Sequence, residues 1–272
     1  MTTGFVNVNG ARLWYEDSGG EGHAVTFVHA GICDHRQWDT QWAPFSEKYR
    51  VIRFDMRGFG QSDLPAGPAS LSDDIGGLLD ALGVRRSAVI GCSMGGSASL
   101  DFALKQPERV SALVLVGSGM SGRPGEVGPE EAAIIEEMDA AEKAGDDEKL
   151  NALELRLWVD GPKRAPEQVT PGVRDLVAEM NGENIRRAAE WEQVTPQPLE
   201  PPAAGRLSEI HAPTLLIVGS DDTFGVRKTM EALEAGVADA RLVVMPGLTH
   251  VPNMERPQEF NQTVLGFLGP IW

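Results

Sequence analysis

Short, unbroken apolar runs recur along the chain, and stretches with helical spacing stand between them. Ala24–Val28, Val51–Phe54, Val89–Ile90, Ala112–Val116, Thr214–Val218 and Ala240–Met245 are the runs. Their length and β-branched content predict strands buried on both faces of a sheet. Leu71–Gly83, Ser97–Leu104, Val226–Ala235 and Glu255–Leu268 place apolar residues at helical intervals. Strands alternating with helices predict an α/β fold with a mostly parallel sheet. The N-terminus differs. Residues 5–8 and 11–16 alternate around Asn9-Gly10, which predicts an antiparallel hairpin.

From Ser118 to about Ser208 the pattern changes. A Gly/Pro-containing linker at 123–129 precedes three charged stretches with helical spacing, 130–144, 147–158 and 172–191. Thr195–Pro202 holds four prolines and predicts an extended return. The division expected is a core of 1–117 and 209–272 interrupted by a helical insertion at 118–208. Met138, Leu153, Leu157, Trp158, Met180 and Trp191 are its large apolar residues.

The central chemical feature is Gly91-Cys92-Ser93-Met94-Gly95, set between a strand and a helix. An abrupt strand-to-helix corner exposes one side chain, and flanking glycines relieve crowding there. Ser93 occupies the corner, at a helix N-terminus that favours negative charge. This arrangement resembles the nucleophile corner of the α/β-hydrolases. Asp55-Met56-Arg57-Gly58-Phe59-Gly60-Gln61-Ser62 resembles that family's Asp-x-Arg-Gly-x-Gly-x-Ser loop and reads as scaffold. His29-Ala30-Gly31 resembles its His-Gly element, with Ala30 where glycine is usual. His29 reads as a histidine pinning the loop, and His35 as a loop or helix-start residue.

The resemblance implies an eight-stranded, mostly parallel sheet with helices on both faces, and a lid formed by the insertion. It also implies a triad in the order Ser93, Asp222, His250, each just past a predicted strand. Asp221 is the rival carboxylate. The family spacing, three residues beyond Gly219, selects Asp222 and leaves Asp221 as a turn or cap residue. The backbone N–H groups of Gly31 and Met94 are the implied oxyanion donors. Ile32, Trp158, Trp191 and Val251 are the expected pocket residues.

Such a triad predicts hydrolysis of a small-molecule ester or lactone through an acyl-enzyme, with no cofactor and no metal. Carbon–carbon bond hydrolysis, cofactor-free perhydrolysis and a biosynthetic lyase or cyclase are alternatives. A non-catalytic receptor using the same pocket is a reading of another class.

Composition adds limits. A net charge of −16 over 272 residues opposes nucleic-acid and anionic-membrane partners. The two cysteines, Cys33 and Cys92, have no metal or redox spacing and read as buried thiols, although Cys92 adjoins the corner as a rival nucleophile. No signal-peptide pattern opens the chain, so a cytoplasmic monomer or homodimer is the expectation.

Overall fold

Asn9 and Gly10, with φ of 47° and 82°, turn the chain between strands β1 (Thr2–Val8) and β2 (Ala11–Asp17). A two-residue loop with both φ values positive matches the twist of such a pair, and Val8 faces Ala11. The computed structural model describes all residues 1–272. In chain order there follow β3 (Ala24–Val28), α1 (Asp39–Ser46), β4 (Arg50–Phe54), β5 (Gly67–Ala69) and α2 (Leu71–Ala81). Next come β6 (Ser87–Cys92), α3 (Met94–Lys105) and β7 (Val110–Val116). The elements α4 (Ala132–Ala144), α5 (Asp147–Leu155), α6 (Val173–Arg186) and β8 (Val194–Pro196) lie outside the main sheet. The chain closes with β9 (Thr214–Gly219), α7 (Phe224–Gly236), β10 (Ala240–Met245), α8 (Pro252–Glu255) and α9 (Pro257–Leu268).

The main sheet has eight strands in the order β1-β2-β4-β3-β6-β7-β9-β10. The β1–β2 and β2–β4 pairs are antiparallel and the others parallel. Alternate residues of β7 feed two cores. Leu113 and Leu115 pack on one face, and Ala112, Val114 and Val116 on the other. This two-sided burial is why the parallel strands read as continuous apolar runs. After β3 the chain moves one way to β4, then returns to place β6 on the other side of β3. A crevice opens where strand order reverses in this way, beyond the carboxyl ends of β3 and β6.

Local differences from the sequence reading have local causes. The C-terminal helix is two helices broken at Arg256 (φ −130°, ψ 66°). Pro257 disfavours helical geometry in the residue before it. The stretch expected as helix 147–158 ends at Leu155 and widens into a π-helical turn over Arg156–Asp160. That expected at 172–191 ends at Arg186, and a 3-10 turn over Ala188–Gln193 follows. The extended return pairs through β8 with β5, an unforeseen two-stranded ribbon.

Between Val116 and Thr214 the chain leaves the sheet. The two ends of this excursion are stitched together, because Ser121 Oγ and O accept the N–H groups of Ala203 (2.9 Å) and Ala204 (3.0 Å).

Candidate active site

Ser93 has φ 55° and ψ −115°; apart from Asn9 in the hairpin turn, it is the one non-glycine residue with positive φ. Such a conformation costs about 1–3 kcal/mol and persists only where the surroundings impose it. Here the Ser93 N–H donates to Val116 O (2.9 Å), while its carbonyl accepts from Ser97 (2.9 Å) and Gly119 (3.2 Å). A Cβ on Gly95 would run into the carbonyls of Val28 and His29, and one on Gly91 into the Gly95 carbonyl. The glycines of the motif therefore let α3 close against β3 and β6.

His250 and Asp222 meet although 28 residues separate them. Nδ1–H donates to Asp222 Oδ2 at 3.0 Å and lies 3.2 Å from Oδ1, with both residues buried. That bond leaves Nε2 with its lone pair. Asp222 Oδ1 also accepts the Thr223 N–H (2.8 Å). The ring packs on Trp158 at 4.7 Å between centroids. Asp221 turns elsewhere. Its carboxylate accepts from Ser220 Oγ (3.0 Å), and the cap of α7 is Thr223.

The end of β7 touches both the serine and this pair. Val116 holds the Ser93 N–H, and a Cβ on Gly117 would come within 3.0 Å of His250 Nδ1. No hydrogen bond joins Ser93 to the imidazole in this arrangement. Bonds of that kind are often long before substrate is bound and tighten around it.

Gly31 and Met94 are neighbours: a Cβ on Gly31 would lie 3.0 Å from Met94 Cε. Met94 opens α3, so its N–H has no acceptor within the helix. Ala30 fits the loop without a positive φ. Its N–H donates to Gln37 Oε1 (2.7 Å), and its carbonyl accepts from Cys33 N–H (3.0 Å) and His29 Nδ1–H (2.8 Å). His29 Nε2 accepts the Met56 N–H (2.9 Å), so the buried ring ties two loops together. Burial holds its pKa below the usual value, against the pull of Asp55.

The Asp55–Ser62 loop is scaffold. Arg57 is buried and pairs bidentately with Asp74, at 2.8 Å for each bond. His35 starts a 3-10 turn and donates to Asp55 through backbone N (2.8 Å) and Nδ1 (2.7 Å). Asp34, His35 and Asp55 bring donor atoms within 4.8 Å of one another, as a metal site would need. Asp34, however, is chelated by the Arg36 guanidinium, and Asp55 already accepts from His35 and Gln61. Cys92 is fully buried and burial pushes its thiol up to about 12, which removes it as a thiolate nucleophile.

Three cavities border residues close to the corner, Met94, Gly119 and Gly31 among them. One of about 400 Å³ is lined by Met120, Ile135, Met138, Leu157 and Trp158. A second, about 420 Å³, opens over Gly31, Phe59, Asn184 and Trp191. The third, about 220 Å³, reaches Met94, Ala98 and Trp191. Trp158 and Trp191 line these cavities. Val251 does not: it has no accessible surface and belongs to the core, so it is corrected to a packing residue. Ile32 is half-buried and packs against that core. Gly117 and Asn184 went unnoticed in the sequence. Gly117 is the glycine just after β7, whereas nothing near Asn184 marks it in the sequence.

The alpha/beta hydrolase family model matches residues 27–263. The chain belongs to that family. It is 32% identical, over 98% of its length and 96% of the relative's, to a 2-hydroxy-6-oxononadienedioate/2-hydroxy-6-oxononatrienedioate hydrolase of Burkholderia vietnamiensis. A hydrolase structure from Pseudomonas aeruginosa is similar at 31% identity and a TM-score of 0.76, covering 98% of both chains. The enol-lactonase of Burkholderia xenovorans is similar at 25% identity and a TM-score of 0.78, covering 98% of this chain and all of that one. The protein is a hydrolase of this fold, and no helix in it is long and apolar enough to cross a membrane.

Proposed function

We propose that this hydrolase cleaves an uncharged ester or lactone, with Ser93 as nucleophile, His250 as base and acid, and Asp222 as the orienting carboxylate. His250 Nε2 takes the hydroxyl proton as Ser93 Oγ adds to the carbonyl carbon. The N–H groups of Gly31 and Met94 hold the oxyanion, each worth about 3 kcal/mol in comparable sites. The tetrahedral adduct collapses, the carbon–oxygen bond breaks, and the imidazolium protonates the departing alkoxide. Water, deprotonated by the same imidazole, then releases the acid and frees Ser93. The insertion serves as a lid carrying Trp158 and Trp191 over this centre.

The observation that carries the choice of substrate is the charge around the three cavities. Asp101, Glu126, Glu131, Glu142, Asp147 and Glu154 line them, against Arg123 and Arg186. Carboxylates in such excess, half of them exposed, disfavour an anionic substrate approaching through these cavities. A neutral lactone escapes that cost.

The curated relative favours a second reading. A 2-hydroxy-6-oxo-dienedioate has no ester, so its hydrolysis breaks a carbon–carbon bond beside a ketone. The same serine addition serves, with carbon as the leaving group. The two readings separate in one assay: turnover of a graded series of esters and lactones beside a 2-hydroxy-6-oxo-dienedioate. Efficient turnover of the dianion with none of the esters overturns the first reading. Ester or lactone hydrolysis that survives Ser93→Ala overturns the serine mechanism.

A further inference from the structure

Gly31 is fixed on one side by the core and on the other by the insertion. The peptide before it is held through Ala30, whose carbonyl accepts from His29 and Cys33. The carbonyl after it is held from α6. Asn184 Nδ2 donates to Gly31 O at 3.3 Å and to Cys33 O at 3.1 Å. The Gly31 N–H lies in the peptide plane held through Ala30 O, and the carbonyl plane on its other side is held by Asn184, so at a residue of the widest backbone freedom the two holds together fix φ and ψ and the position of that N–H.

We propose that Asn184 is a positioning residue for the oxyanion site: by holding the Gly31 and Cys33 carbonyls it aims the Gly31 N–H, so that transition-state stabilisation depends on how the insertion is docked. This rests on the reading of Gly31 as an oxyanion donor. Asn184 also lines the cavity that opens over Gly31 and Trp191, so a substrate entering there meets the helix that sets the loop.

Other contacts dock α6 without touching Gly31. Arg36 reaches Glu179 and Glu183, and Arg187, the residue after α6, donates to Gly60 O (3.1 Å) and Ser62 O (3.0 Å). Removing Asn184 should therefore leave the helix in place, and Arg187→Met provides a control for docking alone.

The test uses a fluorophosphonate probe, which needs no knowledge of the natural substrate. Ser93 Oγ bonds to phosphorus, fluoride leaves, His250 takes the proton, and the phosphonyl oxygen occupies the oxyanion position. Loss of a whole oxyanion donor costs about 100- to 1000-fold, so misaiming one should slow labelling about tenfold or more in Asn184→Ala. The near-isosteric Asn184→Asp, which lacks the amide donor, should slow it at least as much. With a nitrophenyl ester, kcat should fall while KM stays within about twofold, and thermal midpoints should match the parent. Arg187→Met should label at the parental rate. Parental labelling rates in both Asn184 variants overturn the inference, as does an equal loss in Arg187→Met. A wild-type protein that takes no label overturns the serine-hydrolase reading instead, and this inference with it.

Discussion

Gly117 lies beside the ring of His250. Its backbone, at φ 49°, leaves room for the imidazole, and a Cβ would stand 3.0 Å from Nδ1 and 3.2 Å from Asp222 Oδ2. Gly117→Ala should displace the ring from its carboxylate and strain the end of β7. We expect kcat for a nitrophenyl ester to fall about tenfold or more, with about 1–3 kcal/mol of stability lost. Steady-state kinetics and urea denaturation of the variant measure both.

Asp222 and Asp221 differ in what they face, so their amide variants should separate. Asp222→Asn removes the acceptor that fixes the His250 tautomer. An equivalent change in a serine protease triad costs about 10⁴ in kcat. Asp221→Asn loses only an acceptor for Ser220 Oγ, and its kcat should stay within about twofold of the parent. Parallel kinetics on the two proteins check the assignment of the acid.

The Arg57–Asp74 pair is buried on both sides and bidentate. Arg57→Met leaves the Asp74 carboxylate without its ion-pair partner, apart from the Asn9 amide at 3.0 Å. Breaking one side of such a pair typically costs about 3–5 kcal/mol. The drop should appear in denaturant midpoints.

The buried His29 makes stability depend on pH. Burial lowers its pKa in the folded chain below the usual 6.5, so the unfolded chain binds the proton more readily. The stability this neutral ring contributes is complete above the unfolded value and declines as pH falls below it toward the folded one. Asp55 adds a second decline in stronger acid. Burial raises its pKa, but the hydrogen bond and charge of His35, with the charge of His29 and the Gln61 N–H, together outweigh that and hold it below 3.8. Thermal midpoints should therefore decrease from pH 7 to pH 5 and again below pH 4. Nitrogen-detected NMR should find His29 as the Nδ1–H tautomer throughout the upper part of that range.

The sheet was legible because each parallel strand is buried on both faces and so leaves an unbroken apolar run. Val89–Ile90 and Ala112–Val116 needed no partner to be recognised. His250 and Asp222 were legible for a related reason: each follows a strand end, and strand ends share one rim. Asn184 was not legible. Its partners are backbone carbonyls more than 150 positions earlier, which carry no side-chain signature. Val251 misled for the opposite reason. Adjacency to His250 suggested a place in the pocket, but the residue after a fixed imidazole turns into the core. Helix α1 was missed because Asp39–Ser46 shows no apolar stripe and contains Pro44.

Ser121 fastens the departure of the inserted segment to its return, with hydrogen bonds to Ala203 and Ala204. Such a clasp makes everything beyond it a cassette. Its helices can be lengthened, recomposed or traded between relatives while the strands on either side keep their register. If the insertion is the lid proposed above, one hydrolytic scaffold would in this way diversify the molecules it accepts without rebuilding the chemistry beneath.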